Sequence, residues 1–565
     1  MLMTPAACDR LPTLVQSRDA RLRRLYLAEA EAAVPRILAS VDRNAFGPTY
    51  GCCDLQYWHY RTAAFPSEMY QEAALPLAQA FAIERPGKRW FGEMRLAEAA
   101  IAVMRFSARS AHRDGSCDDY YPFERALGAA VFSLVAQTEA YKLLEPHDTG
   151  LLRFFARRAE WIAAHDESGR LANHHALAAL AMFRASELVD SIDLRRAALV
   201  RIERLIDWQS SEGWFDEYGG ADPGYQTVTI ECLAKLRRES GLPHLNEVLR
   251  RAAAFARPFV HLDDGYGGVY GSRGTRHFYP GGCELMAATD ANAADLADAY
   301  LRSLEKNRAA RFDDDRMYVH RTASLFAAYD HWAPRRIQAQ PQSTEATIER
   351  FDEAGLLVLR AKGTQAIVST ARGGTFQAYH DEAGGMQSVV DAGLVVEFAN
   401  GRMAVSQTHD RTQAVEWNET ESSEDTTFST VRPLRWAKFE RATPLRQAVL
   451  HVGMTTVGRF ARGLVRKFLQ RRVIAQKGAA PLEHTRSFAW KPSDAGAKLV
   501  VTDVLRLTDA AATVQRLAFA SDLQAAYTAA ANAGGPALLQ PWFDLNEEVT
   551  RLNRERSITV VRELS

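Results

Sequence analysis

The chain has 565 residues, too many for one ordinary core, so two or more domains are expected. Lys+Arg and Asp+Glu both number 69, which leaves no net field for drawing in a polyanion; any attraction for an acidic ligand has to be local. Hydrophobic residues make up 47% of the chain, and no stretch is apolar for long enough to span a membrane, so a disordered chain and a transmembrane helix are both excluded.

Met1 to Arg24 lacks the apolar core and small-residue cleavage site of a secretory leader. The six cysteines are scattered outside any CxxC spacing, so neither a disulfide framework nor a thiolate metal site is expected. Both features predict a cytoplasmic setting. Tyr57-Trp58-His59-Tyr60-Arg61 follows, with flat apolar faces and polar tips that suit a pyranose ring as well as interhelical packing.

From about Arg18 to Trp332 the apolar residues recur at helical spacing, over Ala126–Leu144, Leu151–Ala164, His174–Val189, Leu194–Gln209, Tyr225–Glu239 and Leu245–Ala256. Between these helices lie Gly- and aromatic-rich loops at Asp114-Gly115, Ser168-Gly169, Glu212-Gly213-Trp214 and Asp264-Gly265-Tyr266. Their glycines fall roughly fifty residues apart, the length of a helical hairpin with its loops. Stacked hairpins with their long loops on one side predict an α/α toroid over residues 1–335. A polar linker over 336–347 carries Pro341 and several Gln residues. Beyond it the apolar period changes to two, over Gly355–Leu359, Gln365–Ser369, Leu394–Phe398, Lys498–Leu507, Ala512–Ala520 and Ser557–Val561, which predicts an antiparallel β-sandwich over 348–565.

Two consecutive helix starts carry chemistry. Asn173-His174-His175 opens one, and Asp222-Pro223-Gly224-Tyr225-Gln226 opens the next. An Asn amide donates to a carboxylate without charge, an imidazole donates or accepts near neutral pH, and a Tyr hydroxyl takes and returns a proton. Together they suit β-elimination on a uronic-acid polysaccharide, in which a carboxylate is neutralised and the neighbouring carbon loses a proton. Arg273, in the loop of the next repeat, is placed to complete the carboxylate shell. Trp214 and His175 join Trp58 and Tyr60 as expected sugar contacts. Asn173 equally suits a helix cap, and Tyr225 and His175 suit packing.

These residues resemble the heparinase II/III-like superfamily, with its alginate-lyase relatives. Asn173-His174 is similar to that family's Asn-His pair, which implies binding of the uronate carboxylate, and Tyr225 stands where the family keeps its proton-transferring Tyr. His380-Asp381-Glu382-Ala383-Gly384 resembles its His-x-Asp-x-Gly strand-turn, and Thr408-His409-Asp410-Arg411-Thr412 its His-Asn-Thr turn. The chain departs from the pattern at Ala378, where a second His is frequent, and at Glu382 and Glu397, where Asp is usual. The resemblance implies a toroid followed by a sandwich with the active site between them. It also implies a structural Zn²⁺ held by His380, Glu397 and His409, two imidazoles and a carboxylate.

Val457–Arg472 contains no acid, and as a helix it places Val457, Phe460, Leu464 and Phe468 opposite Arg459, Arg462 and Arg466. A basic amphipathic helix predicts peripheral contact with anionic lipid or a docking partner. The leading expectation is therefore a lyase for an acidic poly- or oligosaccharide, in capsule or exopolysaccharide metabolism. Two alternatives stand beside it: a carbohydrate-handling protein without lyase chemistry at the cytoplasmic membrane face, and a hydrolase using two carboxylates among Asp216, Glu217 and Asp222.

Overall fold

The computed structural model describes residues 15–564, apart from 339–344, 383–384, 412–414, 420–425, 438–440, 459–477, 494–495, 522–529, 532–541 and single positions 86, 88 and 168. Its first half folds into helices α1 (Arg23–Ser40), α2 (Leu55–Trp58), α3 (Ala74–Ala82), α4 (Met94–Ser110), α5 (Leu127–Leu144), α6 (Thr149–Ala163) and α7 (Ala172–Val189). There follow α8 (Ile192–Ile206), α9 (Pro223–Ser240), α10 (Leu245–Ala256), α11 (Pro280–Met286), α12 (Ala291–Glu305) and α13 (Asp315–Asp330). Many begin at a short polar side chain. Asp148, Ser191, Asp222, Asp290 and Asp314 each accept from first-turn N–H groups, which satisfies donors the helix cannot.

Burial sorts these helices into two layers. α5, α7 and α9 are buried on nearly every side, whereas α6, α8 and α10 bury a single stripe. Neighbouring contacts run from α3 to α5, α7, α9, α11 and α13 and back to α3, closing an inner ring, and the remaining long helices pack outside it. Short connections make inner and outer helices antiparallel, so the inner helices all start at one mouth of the toroid. The repeated glycines mark that mouth. Gly115 has φ +86° and a Cβ there would lie 2.6 Å from the Arg158 nitrogen; Gly213, at φ +98°, lies against the Arg251 carbonyl. At these two positions the loop presses backbone to backbone on an outer helix, and only glycine fits.

After α13 the chain turns to strands. A five-stranded antiparallel meander runs through Thr347–Phe351, Leu356–Ala361, Thr364–Ser369, Thr375–Glu382 and Gly385–Asp391. A nine-stranded antiparallel sheet, built from strands between Leu394 and Leu564, faces it. Leu357, Leu359, Val368 and Phe376 of the smaller sheet pack with Phe488, Trp490 and Val501 of the larger. The other face of the smaller sheet carries Leu356, Val358 and Ile367 into a cluster with Trp214, Phe255, Phe259 and Tyr270 of the toroid. Covered on both faces, Leu356–Leu359 is apolar at every position and does not alternate. The period-two reading of that segment is thereby corrected.

No described helix is long and apolar enough to cross a membrane. Cys52, Cys53, Cys117, Cys232 and Cys283 are free and buried. The basic segment predicted over 457–472 lies outside the described residues except for its first two positions.

Candidate active site at the toroid–sandwich seam

The loop 214–222 crosses the mouth of the toroid and organises the site. Its Ala172–Asp216 backbone hydrogen bond (3.1 Å) and the Leu171–Glu217 bridge lay it over the first turn of α7. Glu217 then turns inward. Its Oε1 accepts the Asn173 backbone N–H at 2.6 Å and its Oε2 accepts from Asn173 Nδ2 at 2.7 Å. Both residues are buried. Burial pushes the Glu217 carboxyl well up, with Asp222 and Asp216 adding to the rise against the two Asn173 hydrogen bonds.

Asp222 ends that loop and caps α9. It accepts the Tyr225 N–H at 3.1 Å, the Arg273 N–H at 2.9 Å and the Thr275 hydroxyl. One carboxylate thus ties the helix that carries Tyr225 to the loop that carries Arg273, whose guanidinium lies 3.8 Å from the Tyr218 ring centroid. Tyr225 meets His277 edge-on at 6.1 Å, and a chain of ring contacts continues through Tyr279, His320 and Phe132 to His174. His320 is held by Glu72 at 2.8 Å and His174 by Glu167 at 3.1 Å. These residues come from α5, α7, α9, α13 and the segments entering α3, α7 and α11, so they line the mouth from several sides.

The sandwich contributes His409. Arg432 donates to the carbonyls of Thr408 at 3.0 Å and Asp410 at 2.9 Å, gripping the turn on both sides of it. Arg372 donates to Val269 at 2.8 Å and Gly271 at 2.6 Å in the toroid loop, and to Gln407 at 3.4 Å. So held, His409 reaches over Gly220, where a methyl group would overlap its imidazole. Burial, then Arg372, Arg411 and Arg432, push this imidazole down to about 4, which leaves it neutral at neutral pH with a lone pair for a proton. A pocket of about 280 Å³ lined in part by Thr370, Asp410 and Arg411 adjoins the turn.

The fold is similar to that of a chondroitin AC lyase. The enzyme of Streptomyces coelicolor A3, solved with chondroitin sulphate, aligns with a TM-score of 0.52 over 89% of this chain and 71% of its own, at 11% identity. Heparinase III aligns at 0.46 over 90% of this chain and 75% of its own, with 14% identity. The heparan sulfate lyase HepC of Pedobacter heparinus aligns at 0.37 over 89% and 71%, with 12% identity. No family model matches the chain, and no curated protein matches it.

The predicted residues divide. Asn173, His174, Tyr225, Arg273 and His409 belong to the seam or the mouth beside it. His175 does not serve as a sugar contact: it is 1% exposed, meets Trp208 edge-on and faces Arg201 at 3.4 Å, on the outer side of α7. Trp214 is likewise no open platform. It is 3% exposed, donates to Glu212 at 2.9 Å and belongs to the core between the two domains. Trp58 donates to the Ser40 carbonyl at 2.8 Å and Tyr60 lies exposed against His59, so both are set by their own local segment.

The metal set is not assembled. His380 faces Thr364 at 2.9 Å on the five-stranded sheet, Glu397 faces Arg516 at 3.6 Å on the nine-stranded sheet, and His409 reaches into the seam. Among the described residues no group of three or more His, Cys, Asp or Glu is placed to hold a metal ion. The described residues do not fit the structural Zn²⁺. Sequence spacing had no means of placing the three on different surfaces.

Several residues of the site escaped the sequence reading. Glu217 was named only as a hydrolytic carboxylate, and its pairing with Asn173 is a tertiary contact across 44 positions. Arg372, Arg432, His277 and the His320–Glu72 pair carried no local signal. Gly219-Gly220 beside a polar, aromatic loop was the one legible hint that another chain segment approaches there.

Proposed function

We propose that this chain is a polysaccharide lyase that cleaves a uronate-containing glycan by β-elimination. The observation that carries the reading is that the short loop 217–222 gathers three chemically suited groups, two of them from distant parts of the chain. Glu217 holds Asn173, Gly220 receives His409, and Asp222 caps the helix of Tyr225. The likeness in fold to a chondroitin AC lyase supports the same reaction class.

In this reading His174 and Arg273 take up the charge that grows on the uronate carboxylate, while Asn173, fully buried beneath the loop, holds that loop in place through Glu217. One such preorganised donor contributes about 2.7–4 kcal/mol to the barrier. The carbon beside the carboxylate gives up its proton to the Tyr225 oxygen or the neutral His409 imidazole. Its bonding pair forms the new carbon–carbon double bond as the glycosidic oxygen departs, and that oxygen takes a proton from the Tyr225 hydroxyl. The hydrolytic alternative needs two free carboxylates among Asp216, Glu217 and Asp222, but Asp222 is engaged in holding backbone and Thr275 and Glu217 in holding Asn173.

The test is a panel of uronate glycans with ultraviolet detection of the conjugated unsaturated product. Tyr225→Phe is expected to lower kcat by about 10²–10⁴-fold with the circular dichroism spectrum unchanged. New reducing ends without absorbance would replace the lyase with a hydrolase, and full activity in Tyr225→Phe would remove Tyr225 from the chemistry.

A further inference from the structure

Between Ala437 and Ala479, which end and begin two neighbouring strands of the nine-stranded sheet, the chain leaves the sandwich and forms helix α14 (Pro444–Gly453). Its start is well specified: the Thr443 hydroxyl accepts the Arg446 N–H at 3.3 Å, and Pro444 stands in the first turn. None of its ten residues is buried, whereas the helix Asn546–Glu555, of the same length and packed on the same sheet, buries Leu552. The apolar side chains of α14 lie on the side away from the protein. Leu445, Val449 and Val452 fall on one stripe at helical spacing and are 75%, 64% and 59% exposed. The partly buried Leu450 and, one turn on, the buried Met454 mark the opposite, inward side.

Charge says what covers that stripe. The chain as a whole has as many acids as bases, 69 of each, yet residues 441–482 contain nine Lys or Arg and no Asp or Glu. Two of the nine, Arg441 and Arg446, lie in α14 and its lead-in and are exposed; the other seven follow in sequence between 459 and 477. A second copy of the chain would bring nine more positive charges against these nine. A nucleic acid or an acidic glycan answers the charge but not the stripe, because Leu and Val side chains have no flat face to stack on a base or a sugar ring. An anionic lipid surface answers both, with headgroups for the bases and acyl chains for the aliphatics. We propose that α14 is a docking helix for such a surface. It lies in the headgroup layer with Leu445, Val449 and Val452 against the acyl chains and Arg441 and Arg446 among the lipid phosphates. Contact of this kind is peripheral and reversible. It does not depend on the lyase reading.

The experiment uses the full chain with vesicles of phosphatidylcholine alone and of phosphatidylcholine mixed with phosphatidylglycerol, read by flotation and by a binding isotherm. The wild type is expected to float with the mixed vesicles, to stay behind with the neutral ones and to be released as salt is raised. The triple variant Leu445→Gln, Val449→Gln, Val452→Gln changes only exposed side chains, so it should melt like the wild type. It is expected to bind the mixed vesicles about 10²-fold more weakly. The double variant Arg441→Gln, Arg446→Gln should weaken binding about 5-fold for each arginine removed. Sedimentation without lipid reads the competing occupant. Failure of the wild type to float with the mixed vesicles, or equal recovery with the neutral ones, overturns the proposal. A triple variant that binds like the wild type also overturns it, since only a charged patch open to any polyanion would remain. So does a wild-type dimer that the triple variant dissolves, which gives the stripe to a second copy.

Discussion

Two buried polar clusters in this molecule are built on opposite principles. In the sandwich, Arg486 faces Asp503 at 2.6 Å and Asp391 at 3.0 Å, Arg562 faces the same two carboxylates at 2.9 and 2.7 Å, and His484 meets Asp503 at 2.7 Å. Two acids answer two guanidinium groups. Burial alone would raise the Asp503 carboxyl, but Arg486, His484 and Arg562 outweigh it and hold it far below the usual carboxylate range. At the seam the charges are mismatched. Glu217 has neutral donors where a cation would be expected, and burial, reinforced by the nearby arginines, keeps His409 uncharged. The balanced cluster holds two sheets together. The unbalanced one raises an acid and lowers a base, the kind of perturbation that clusters where protons are moved.

Removing a charge from each cluster separates the two most sharply. Asp503→Ala leaves two buried arginines short of a carboxylate and is expected to cost about 3–5 kcal/mol of stability. Chemical denaturation would show it as a lower midpoint, while activity per folded molecule stays unchanged. Glu217→Gln removes a carboxyl just as buried, and should melt close to wild type. Equal losses in the two variants would erase the distinction between the clusters.

Next in size is the entry of His409. Gly220→Ala places a methyl group where the imidazole lies, and the turn gripped by Arg432 and Arg372 has to retreat. Removal of a proton-transfer group costs about 10²–10⁴-fold in rate, so the variant is expected near the lower end of that range, with the melting temperature little changed. Full activity in Gly220→Ala would show that His409 only packs there.

The helices and the toroid-then-sandwich order were legible because they depend on local periodicity and capping. Tyr225–Glu239 from spacing became Pro223–Ser240, started by Asp222. What escaped depends on a second partner. Leu356–Leu359 broke the expected alternation because the toroid covers the outer face of its sheet. Trp214 looked like a sugar platform because sequence cannot distinguish an aromatic facing a ligand from one facing another domain. His409 was picked out by resemblance but given to a metal, and only the Gly220 contact shows which surface it reaches. Glu217 was visible as a residue but its hold on Asn173 was not, since that contact joins positions 44 apart.

The smallest expected effect is also the one that reads both clusters in a single titration. His409 is held at about 4 in the folded chain against 6.5 for an ordinary imidazole, so between those values the unfolded chain binds the extra proton. Stability from keeping His409 neutral is therefore present above about 6.5 and is lost as pH falls toward 4. Asp503 behaves at lower pH: its folded carboxyl lies below the ordinary 3.8, so its contribution is present above that value and is lost only as pH falls beneath it. Raised carboxyls such as Glu217 and Glu72 act with the opposite sign, since protonating them at low pH relieves their burial. The wild-type curve mixes all of these, and the difference between wild type and His409→Gln isolates one. That difference is expected to shrink steadily from pH 6.5 to 4 and then to stay flat while both proteins lose the Asp503 contribution together. A difference that is constant across the upper window would mean that His409 titrates no lower in the folded chain than in the unfolded one.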